Sequence, residues 1–227
     1  MGPEVTDERR QQASMKIPKE YRDHDHRAWE KIFRSVPEEW FMAPPSGAME
    51  SCLKFLQGKH SRRTLDLGCG IGRWSMFLAR NGVTPVFGAD YSLAGVDTAQ
   101  RWAKRENVKS LAFLAANALR LPFMDGAFDA VIAALLLDNL DREDAEFAMT
   151  EINRIAGTDA SGFFVFNPLL SPQQFAILKT RQNPTQDCMH VVYEDKEIEQ
   201  LMDGWRLTQR KESVEGFRVV EAVRLAT

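Results

Sequence analysis

The sequence has few of the residues that build disulfide frameworks, metal sites or membrane spans. It contains three cysteines in 227 residues, and their odd number and scattered positions favour neither a disulfide framework nor a CxxC zinc site. The longest strongly apolar run, residues 130–137, is less than half of the roughly 20 residues that a membrane-spanning helix needs. The charged start MGPEVTDERRQQ has no apolar segment and predicts no secretory signal. These absences favour a reduced, soluble, cytoplasmic protein that has no membrane partner.

An excess of positive charge is also missing. The chain has 29 Lys and Arg residues against 32 Asp and Glu residues, a formal net charge of −3. A dedicated nucleic-acid binder usually carries a basic surface, so this balance does not favour nucleic acid as a partner. Hydrophobic residues make up 44% of the chain and charged residues 27%, which is typical of globular proteins. The length predicts one domain, or one domain with a modest extension.

The first sixty residues differ in sequence pattern from the rest of the chain. Residues 1–18 are polar and without a sustained period, which is typical of a mobile tail. An amphipathic helix is predicted over 19–33, and a second one follows Ser46, with prolines at 37, 44 and 45 between them. Because prolines interrupt helices that are apolar enough to pack, residues 1–60 are predicted to form a tail and a helical lid over a domain at 61–227.

Beyond residue 60, short apolar runs alternate with helical patterns. This rhythm is typical of an α/β, doubly wound parallel sheet. Two last strands joined by a polar turn predict a C-terminal hairpin. The predicted strands are 64–67, 85–89, 110–115, 128–134, 162–166, 205–209 and 217–224, and the predicted helices include 92–106, 142–155 and 194–202, the last with Asp195 as its cap.

A glycine-rich turn, Gly68-x-Gly70-x-Gly72, follows the first predicted strand. A dinucleotide-binding fold has a third glycine where this chain has Arg73, and the Gly-Lys-Ser/Thr of a phosphate-binding loop is absent. Asp66 lies two residues before the turn, where its charge would repel a pyrophosphate and attract a cationic amino group. This combination suits S-adenosylmethionine, which carries an amino acid at one end and a nucleoside at the other.

A second acid lies where the nucleoside would be. Asp90 ends the second predicted strand, 18 residues after Gly72. A carboxylate at this point accepts hydrogen bonds from vicinal ribose hydroxyls. Ser92, two residues later, already serves as a helix cap, so Asp90 is not needed for capping.

Four segments in this order resemble class I S-adenosylmethionine-dependent methyltransferases. The similarity is nearest to the small-molecule enzymes of the ubiquinone/menaquinone and tellurite-resistance types, and it covers about residues 60–170. It implies a seven-stranded Rossmann-like sheet and transfer of a methyl group to a small-molecule acceptor by a monomer or a homodimer. The four segments are LDLGCGIGRWS (65–75), FGADYS (87–92), NALRLPFMDGAFDAVIAALLLDNL (117–140) and GFFVFNP (162–168).

The resemblance assigns the cofactor-binding residues. It places the methionine part against the glycine turn, the ribose at Asp90, and the adenine near Tyr91, Ser92 and the Asn117-Ala118 pair, where relatives often have Asp-Ala. The implied cofactor-binding residues are Asp66, Gly68, Cys69, Gly70, Gly72, Asp90, Tyr91, Ser92, Asn117, Ala118 and Leu136.

No catalytic residue is implied, because 137–140 reads Leu-Asp-Asn-Leu where many relatives have a pair of histidines. Three residues remain as candidate proton acceptors, Asp138, His190 and Tyr193. Asn139, Asn167 and the lid residues Tyr21, His24 and Trp29 are further candidates for the acceptor site. No metal is predicted, since the Asp23–His26 cluster would point its side chains to different faces of a helix.

Two other functions stay open at this point. The domain could bind S-adenosylmethionine without catalysis, as a regulatory protein. It could also methylate a protein or an RNA, although the Asn-Pro-Leu-Leu at 167–170 lacks the aromatic residue that would stack on a flipped base.

Overall fold

A seven-stranded sheet forms the centre of the computed structural model, which describes residues 19–37, 39, 43–57, 59, 63–169, 188 and 190–226, with side chains from residue 27 onward. The strand order is β3-β2-β1-β4-β5-β7-β6. Strands β1 to β5 are parallel, and β7 runs antiparallel to both β5 and β6. The predicted fold class and the C-terminal hairpin are therefore confirmed. The strands are β1 Thr64–Leu67, β2 Val86–Asp90, β3 Leu111–Ala115, β4 Phe128–Ala134, β5 Ala156–Phe166, β6 Trp205–Glu212 and β7 Arg218–Arg224.

Helices cover both faces of this sheet. Two of the helices that follow strands begin at polar caps, the predicted Ser92 and Asp141: Ser92 accepts a hydrogen bond from the Gly95 backbone N–H (3.1 Å), and Asp141, which was not predicted as a cap, accepts one from that of Asp144 (2.8 Å). The helices are α1 Lys19–Arg34, α2 Gly47–Gln57, α3 Arg73–Arg80, α4 Leu93–Arg105, α5 Arg142–Ile155 and α6 Asp195–Leu201, with a short 3-10 helix at Leu137–Asn139.

The core is divided by the alternation of side chains along the strands. In β4, Ala130 and Ile132 pack on the side of α2 and α3. Val131 and Ala133 pack on the side of α5 and α6. Both faces of β4 are apolar because helices cover both, and this is why its sequence is a nearly continuous hydrophobic run.

Three elements differ from the prediction. Strand β6 extends to Glu212 rather than ending at residue 209. Strand β5 begins at Ala156 rather than at residue 162, and its pairing with β4 is irregular near Phe128 and Ala130. Asp159 has a left-handed φ of 61°, so the polar segment 157–159 resembles a turn in sequence although it belongs to the strand. The cap of α6 is Glu194, not Asp195: the Glu194 and Glu197 side chains form a reciprocal capping box.

Candidate functional site

A cavity of about 350 Å³ lies at the C-terminal edge of the parallel strands. Parallel α/β sheets bind ligands at this edge, near the point where the strand order reverses. The loops after β1, β2, β3 and β4 form its walls, and helix α1 closes one side. The lining residues are Trp29, Phe33, Leu67, Gly68, Cys69, Gly70, Ile71, Arg73, Ala89, Asp90, Tyr91, Ser92, Ala116, Asn117, Ala118, Leu119, Ala134, Leu135, Leu136, Asn139, Leu140, Asp141 and Asp144.

The glycine turn exposes backbone to this cavity. Gly70 has a φ of 52°, a left-handed conformation that glycine adopts without strain. Gly72 does not line the cavity; it has a φ of 81° and caps α3. A Cβ on Gly72 would lie 2.7 Å from the Phe113 ring and 2.9 Å from Ala99 Cβ. Gly72 therefore lets β3 and α4 approach the turn. A Cβ on Gly70 would lie 2.9 Å from the Phe33 ring, so this glycine lets the Phe33 ring of α1 pack against the turn.

Asp90 joins the loops that follow β1 and β2. One carboxylate oxygen accepts a hydrogen bond from the Gly70 backbone N–H (2.7 Å), and the other accepts one from that of Ser92 (2.8 Å). Each carboxylate oxygen can accept more than one hydrogen bond, so these contacts orient the group and leave capacity for hydroxyl donors. Both the position and the orientation suit a ribose.

Asp66 does not line the cavity, and this corrects the expectation that it faces the ligand. The residue is 2% exposed, and its carboxylate accepts a hydrogen bond from the Ser75 hydroxyl (2.5 Å) beneath the turn. Burial raises the pKa of Asp66 to about 6, against the lowering effect of the Ser75 hydrogen bonds. Side chains alternate between the two faces of a strand. Asp66 therefore lies on the α3 side of the sheet and supports the turn from there, whereas Leu67 packs on the α5 side.

The other predicted adenine and methionine contacts lie in the cavity wall. Tyr91 is 53% exposed at its rim, and Leu136 packs against Gly68, where an added Cβ would lie 3.0 Å from the leucine side chain. Asn117 Oδ1 accepts a hydrogen bond from the Leu119 backbone N–H (2.9 Å), which fixes the direction of its amide. Ala118 lies beside it in the wall.

Helix α1 contributes two aromatic rings to the cavity. Trp29 and Phe33, one turn apart, stack with their ring centroids 5.3 Å apart. The helix is held by Glu30, whose carboxylate accepts hydrogen bonds from the Ser92 hydroxyl (2.6 Å) and the Ala94 backbone N–H (3.2 Å). The side chains of Tyr21 and His24, predicted to contribute to this region, lie outside the described residues.

The three candidate proton acceptors do not line the cavity. Asp138 is 1% exposed, and its Oδ2 accepts a hydrogen bond from the Asn167 backbone N–H. Burial raises the pKa of Asp138 to about 6, and the hydrogen bond from Asn167 lowers it in part. Tyr193 packs edge-on against Phe166, and burial raises its pKa to about 12. His190 lies beside Val191, whose backbone N–H donates to the Asp138 carbonyl (2.7 Å). Asp138 and Tyr193 thus lie behind the cavity wall, and Asp138 Oδ1 and the Tyr193 hydroxyl are buried without a hydrogen-bond partner among the described residues.

Sequence reasoning missed part of the wall. Phe33 falls at the end of the helix predicted over 19–33, and its spacing of four residues from Trp29 is the signal that pairs them. Asp141 and Asp144 are placed in the wall because α5 begins at the cavity. Their sequence signal is a helix cap, which gives no indication of a neighbouring ligand site.

Within the described ranges, His, Cys, Asp and Glu side chains form no group of three that could hold a metal ion. No helix in those ranges has the length and apolar character that a bilayer crossing requires.

Comparison with known proteins connects this geometry to a family. Residues 64–158 match the family model described as a methyltransferase domain. A demethylmenaquinone methyltransferase of Lactiplantibacillus plantarum is 38% identical over 94 residues, 40% of this chain and 39% of that enzyme. The ajmaline N-methyltransferase of Rauvolfia serpentina is 33% identical over 104 residues, 45% of this chain and 35% of that enzyme. The match thus spans less than half the length of either relative.

A solved structure extends the likeness to most of the sheet. An S-adenosylmethionine-dependent methyltransferase from Methanosarcina mazei superposes with a TM-score of 0.62 at 20% identity, covering 78% of this chain and 98% of that one. At this identity the likeness establishes the fold. S-adenosylmethionine is the cofactor of this family, and the glycine turn with Asp90 is the arrangement that fits it. Residues 64–158 are therefore similar to methyltransferase domains, and the sheet has the fold of an S-adenosylmethionine-dependent methyltransferase.

Proposed function

We propose that the chain transfers the methyl group of S-adenosylmethionine to a nucleophile on a small-molecule acceptor. The observation that carries this proposal is one cavity that joins the glycine turn, the Asp90 carboxylate and an apolar wall of aromatic side chains. The similarity to a demethylmenaquinone methyltransferase and an ajmaline N-methyltransferase supports a small-molecule acceptor.

The proposed placement of the cofactor follows from the chemistry of the walls. Asp90 accepts hydrogen bonds from the ribose hydroxyls, and the turn around Gly68 and Gly70 receives the methionine end. Tyr91 and the Asn117-Ala118 pair border the adenine. Asp66 acts indirectly, by holding Ser75 and the strand end beneath the turn.

Alignment and exclusion of water are the proposed source of catalysis. When bound, S-adenosylmethionine supplies a sulfonium methyl group that is already activated for in-line displacement. The chain therefore has to orient the acceptor and keep water out, and Trp29 and Phe33 provide an apolar cover for this purpose. Such alignment contributes on the order of 7–11 kcal/mol without a dedicated base. The absence of histidine and lysine among the described residues of the wall agrees with this mechanism.

We also propose that α1 and α2 form a lid of the domain, within residues 1–60. Arg73, at the start of α3, donates hydrogen bonds to the carbonyls of Ala43 and Pro44 (3.2 and 3.1 Å). The tip of the β6–β7 turn also holds α2, because Glu215 accepts a hydrogen bond from the Gly47 backbone N–H (2.7 Å). Glu30 fastens α1 to the loop after β2 through polar bonds, which can open without disturbing the sheet. Helix α2 is the fixed part of the lid, because its buried Ala48, Cys52 and Leu56 pack into the core beside β4.

The lid proposal has a direct test in the Glu30→Gln variant. Loss of the charge weakens the contacts to Ser92 and Ala94, so S-adenosylhomocysteine should dissociate several-fold faster in stopped-flow measurements. Glu50→Gln, an exposed substitution on α2, is the matched control and should leave the rate unchanged. An unchanged dissociation rate in Glu30→Gln would contradict gating by α1.

The test of function itself combines binding and turnover. Calorimetry should show micromolar binding of S-adenosylmethionine and no heat with NAD or ATP. Transfer of a labelled methyl group should then be measured across small molecules with oxygen, nitrogen, sulfur and carbon nucleophiles. Binding of NAD in place of S-adenosylmethionine would refute the cofactor assignment. Binding of S-adenosylmethionine with transfer only to protein or RNA, or with none, would refute the small-molecule reaction and favour those alternatives.

A further inference from the structure

One wall of the cavity presents hydrogen-bond acceptors and negative charge. It is formed by the 3-10 helix after β4 and the first turn of α5, and it contains Asn139, Asp141 and Asp144. Asp141 and Asp144 are half-buried. This wall belongs to the same cavity as the glycine turn, but it includes none of the residues that the family resemblance assigns to the cofactor.

Asn139 is the most constrained of the three. It is 8% exposed, and its Nδ2 donates a hydrogen bond to the Leu135 carbonyl (2.6 Å). Since only the amide nitrogen can donate to a carbonyl, the other atom of the group is fixed as Oδ1. Oδ1 is buried and has no hydrogen-bond partner within the described part of the chain. An unsatisfied buried acceptor costs about 1–3 kcal/mol, which a donor on a ligand would recover.

Local backbone strain accompanies this contact. Leu135 has a left-handed φ of 55°, which is rare for a leucine, and its carbonyl is the group that Asn139 holds. Strained residues persist where the surroundings fix them, and they cluster at functional sites. The strain and the unsatisfied acceptor thus occur together at the cavity end of β4.

Asp141 adds charge to the same wall. One of its carboxylate oxygens accepts the capping bond from the Asp144 backbone N–H, and this fixes the carboxylate at the start of α5. The basic residue of the cavity wall, Arg73, directs its guanidinium to the carbonyls of Ala43 and Pro44. The guanidinium is therefore engaged by the lid segment, while the carboxylates remain in the wall.

We propose that this wall selects an amine acceptor, bound as its ammonium ion, over alcohols and over carboxylates or phosphates; the proposal rests on the proposed methyltransferase function. An ammonium group supplies several donors and a positive charge, which satisfy Asn139 Oδ1 and Asp141 together. A carboxylate or a phosphate brings acceptors and negative charge, and the same wall repels it.

The methyl transfer to this amine is an in-line displacement at the methyl carbon. The bound ammonium loses one proton to solvent water, which frees the nitrogen lone pair. The lone pair forms the nitrogen–carbon bond as the carbon–sulfur bond breaks, and its electron pair passes to sulfur. The products are the N-methylated ammonium, S-adenosylhomocysteine and one released proton.

The experiment uses three probes that share one aromatic frame: benzylamine, benzyl alcohol and benzoate. Their affinities for the complex of the full chain with S-adenosylhomocysteine are measured by calorimetry, so the result does not depend on turnover. Benzylamine should bind at least tenfold more tightly than the other two. Equal affinity for benzylamine and benzyl alcohol, or a preference for benzoate, would overturn the proposal.

Asp141→Asn tests the role of the charge while keeping the helix cap, because asparagine caps helices as well as aspartate does. This variant should bind benzylamine about tenfold more weakly and benzyl alcohol unchanged. Glu143→Gln is the matched control: it removes an exposed charge from the same turn of α5 and should change neither. Equal benzylamine affinity in Asp141→Asn and the original chain would overturn the assignment.

Measurements of cofactor binding distinguish a failure of the amine proposal from a failure of the proposed methyltransferase function. Asp141→Asn should bind S-adenosylmethionine and S-adenosylhomocysteine as the original chain does. A selective loss of S-adenosylmethionine affinity would show that Asp141 faces the sulfonium and would overturn the amine assignment alone. Failure of the original chain to bind either compound would instead refute the methyltransferase function.

Discussion

The two ends of helix α5 both carry charged residues but differ in what those residues contact. The first turn places Asp141 and Asp144 in the cavity wall, next to a buried amide oxygen that has no partner within the described residues. The last turn, at the other edge of the sheet, contains Glu151 and Arg154, whose polar atoms bond to the loop before β4. The Asn139 amide oxygen therefore gives the first end capacity for a ligand, whereas the polar atoms of Glu151 and Arg154 at the last end bond to the protein itself.

Arg154 shows how complete this saturation is. Its guanidinium donates to the carbonyls of Leu121 and Phe123 and pairs with Glu151 and Asp125. These acidic partners raise the pKa of Arg154 above its usual value, with burial acting against them. Glu151 in turn accepts a hydrogen bond from the Leu121 backbone N–H (2.8 Å). Charged residues at a helix end therefore indicate a ligand site only where a neighbouring hydrogen-bond acceptor, such as Asn139 Oδ1, has no partner in the described part of the protein.

The largest expected effect is on the saturated end. Arg154→Ala removes the cationic partner of Glu151, which is 6% exposed, and deprives two carbonyls of their donor. We expect a loss of about 3 kcal/mol in the free energy of unfolding, measured by urea denaturation. Arg101→Ala, an exposed change on α4, is the control and should cost less than about 0.5 kcal/mol. A loss below about 1 kcal/mol for Arg154→Ala would show that the network is not a structural clamp.

The cofactor side of the cavity comes next in magnitude. Asp90→Ala removes the proposed ribose acceptor and the contacts to Gly70 and Ser92, so S-adenosylmethionine affinity should fall by about 10- to 100-fold. Calorimetry measures this change, with Asp97→Ala, an exposed acid on α4, as the control. Wild-type affinity in a folded Asp90→Ala protein would mean that the ribose lies elsewhere.

The smallest effect concerns pH and the acid beneath the glycine turn. Burial raises the pKa of Asp66 to about 6 in the folded protein, from 3.8, so the folded state binds the extra proton. Its stabilising contribution is complete below pH 3.8 and is lost as the pH rises through 6. Between pH 7.5 and 5, the free energy of unfolding should gain about 1 kcal/mol from this group.

Asp66→Asn should remove that gain, because an amide does not titrate, and urea denaturation at the two pH values measures the difference. Asp138 titrates in the same direction and remains in this variant, so a smaller rise with acidification is still expected. An identical rise in Asp66→Asn and the original chain would contradict the raised pKa of Asp66.

Local signals in the sequence were sufficient for the sheet and most of its helices. Strands β1 and β4 begin and end where the apolar runs do, and α4 begins after the cap that Ser92 predicts. The positions of the glycine turn and of Asp90 could also be predicted, because each directly follows or ends a strand that is recognisable in the sequence. Strand β5 was predicted too short, since the polar segment 157–159 carries a turn-like pattern inside a bulged strand.

The direction of side chains and the meeting of distant segments were decided by the tertiary structure. Asp66 and Leu67 alternate across β1, and only packing against α3 turned the carboxylate towards Ser75 and away from the cavity. The sequence makes Asp138 a candidate base, whereas in the fold its Oδ2 accepts a hydrogen bond from the Asn167 backbone N–H after β5. Phe33 and Asp141 are more than a hundred residues apart and line one cavity, because the last turn of α1 and the first turn of α5 lie at the edge where the strands stop. Neighbouring residues thus determined the elements and the cofactor turn, whereas long-range packing determined which polar groups remain available to a substrate.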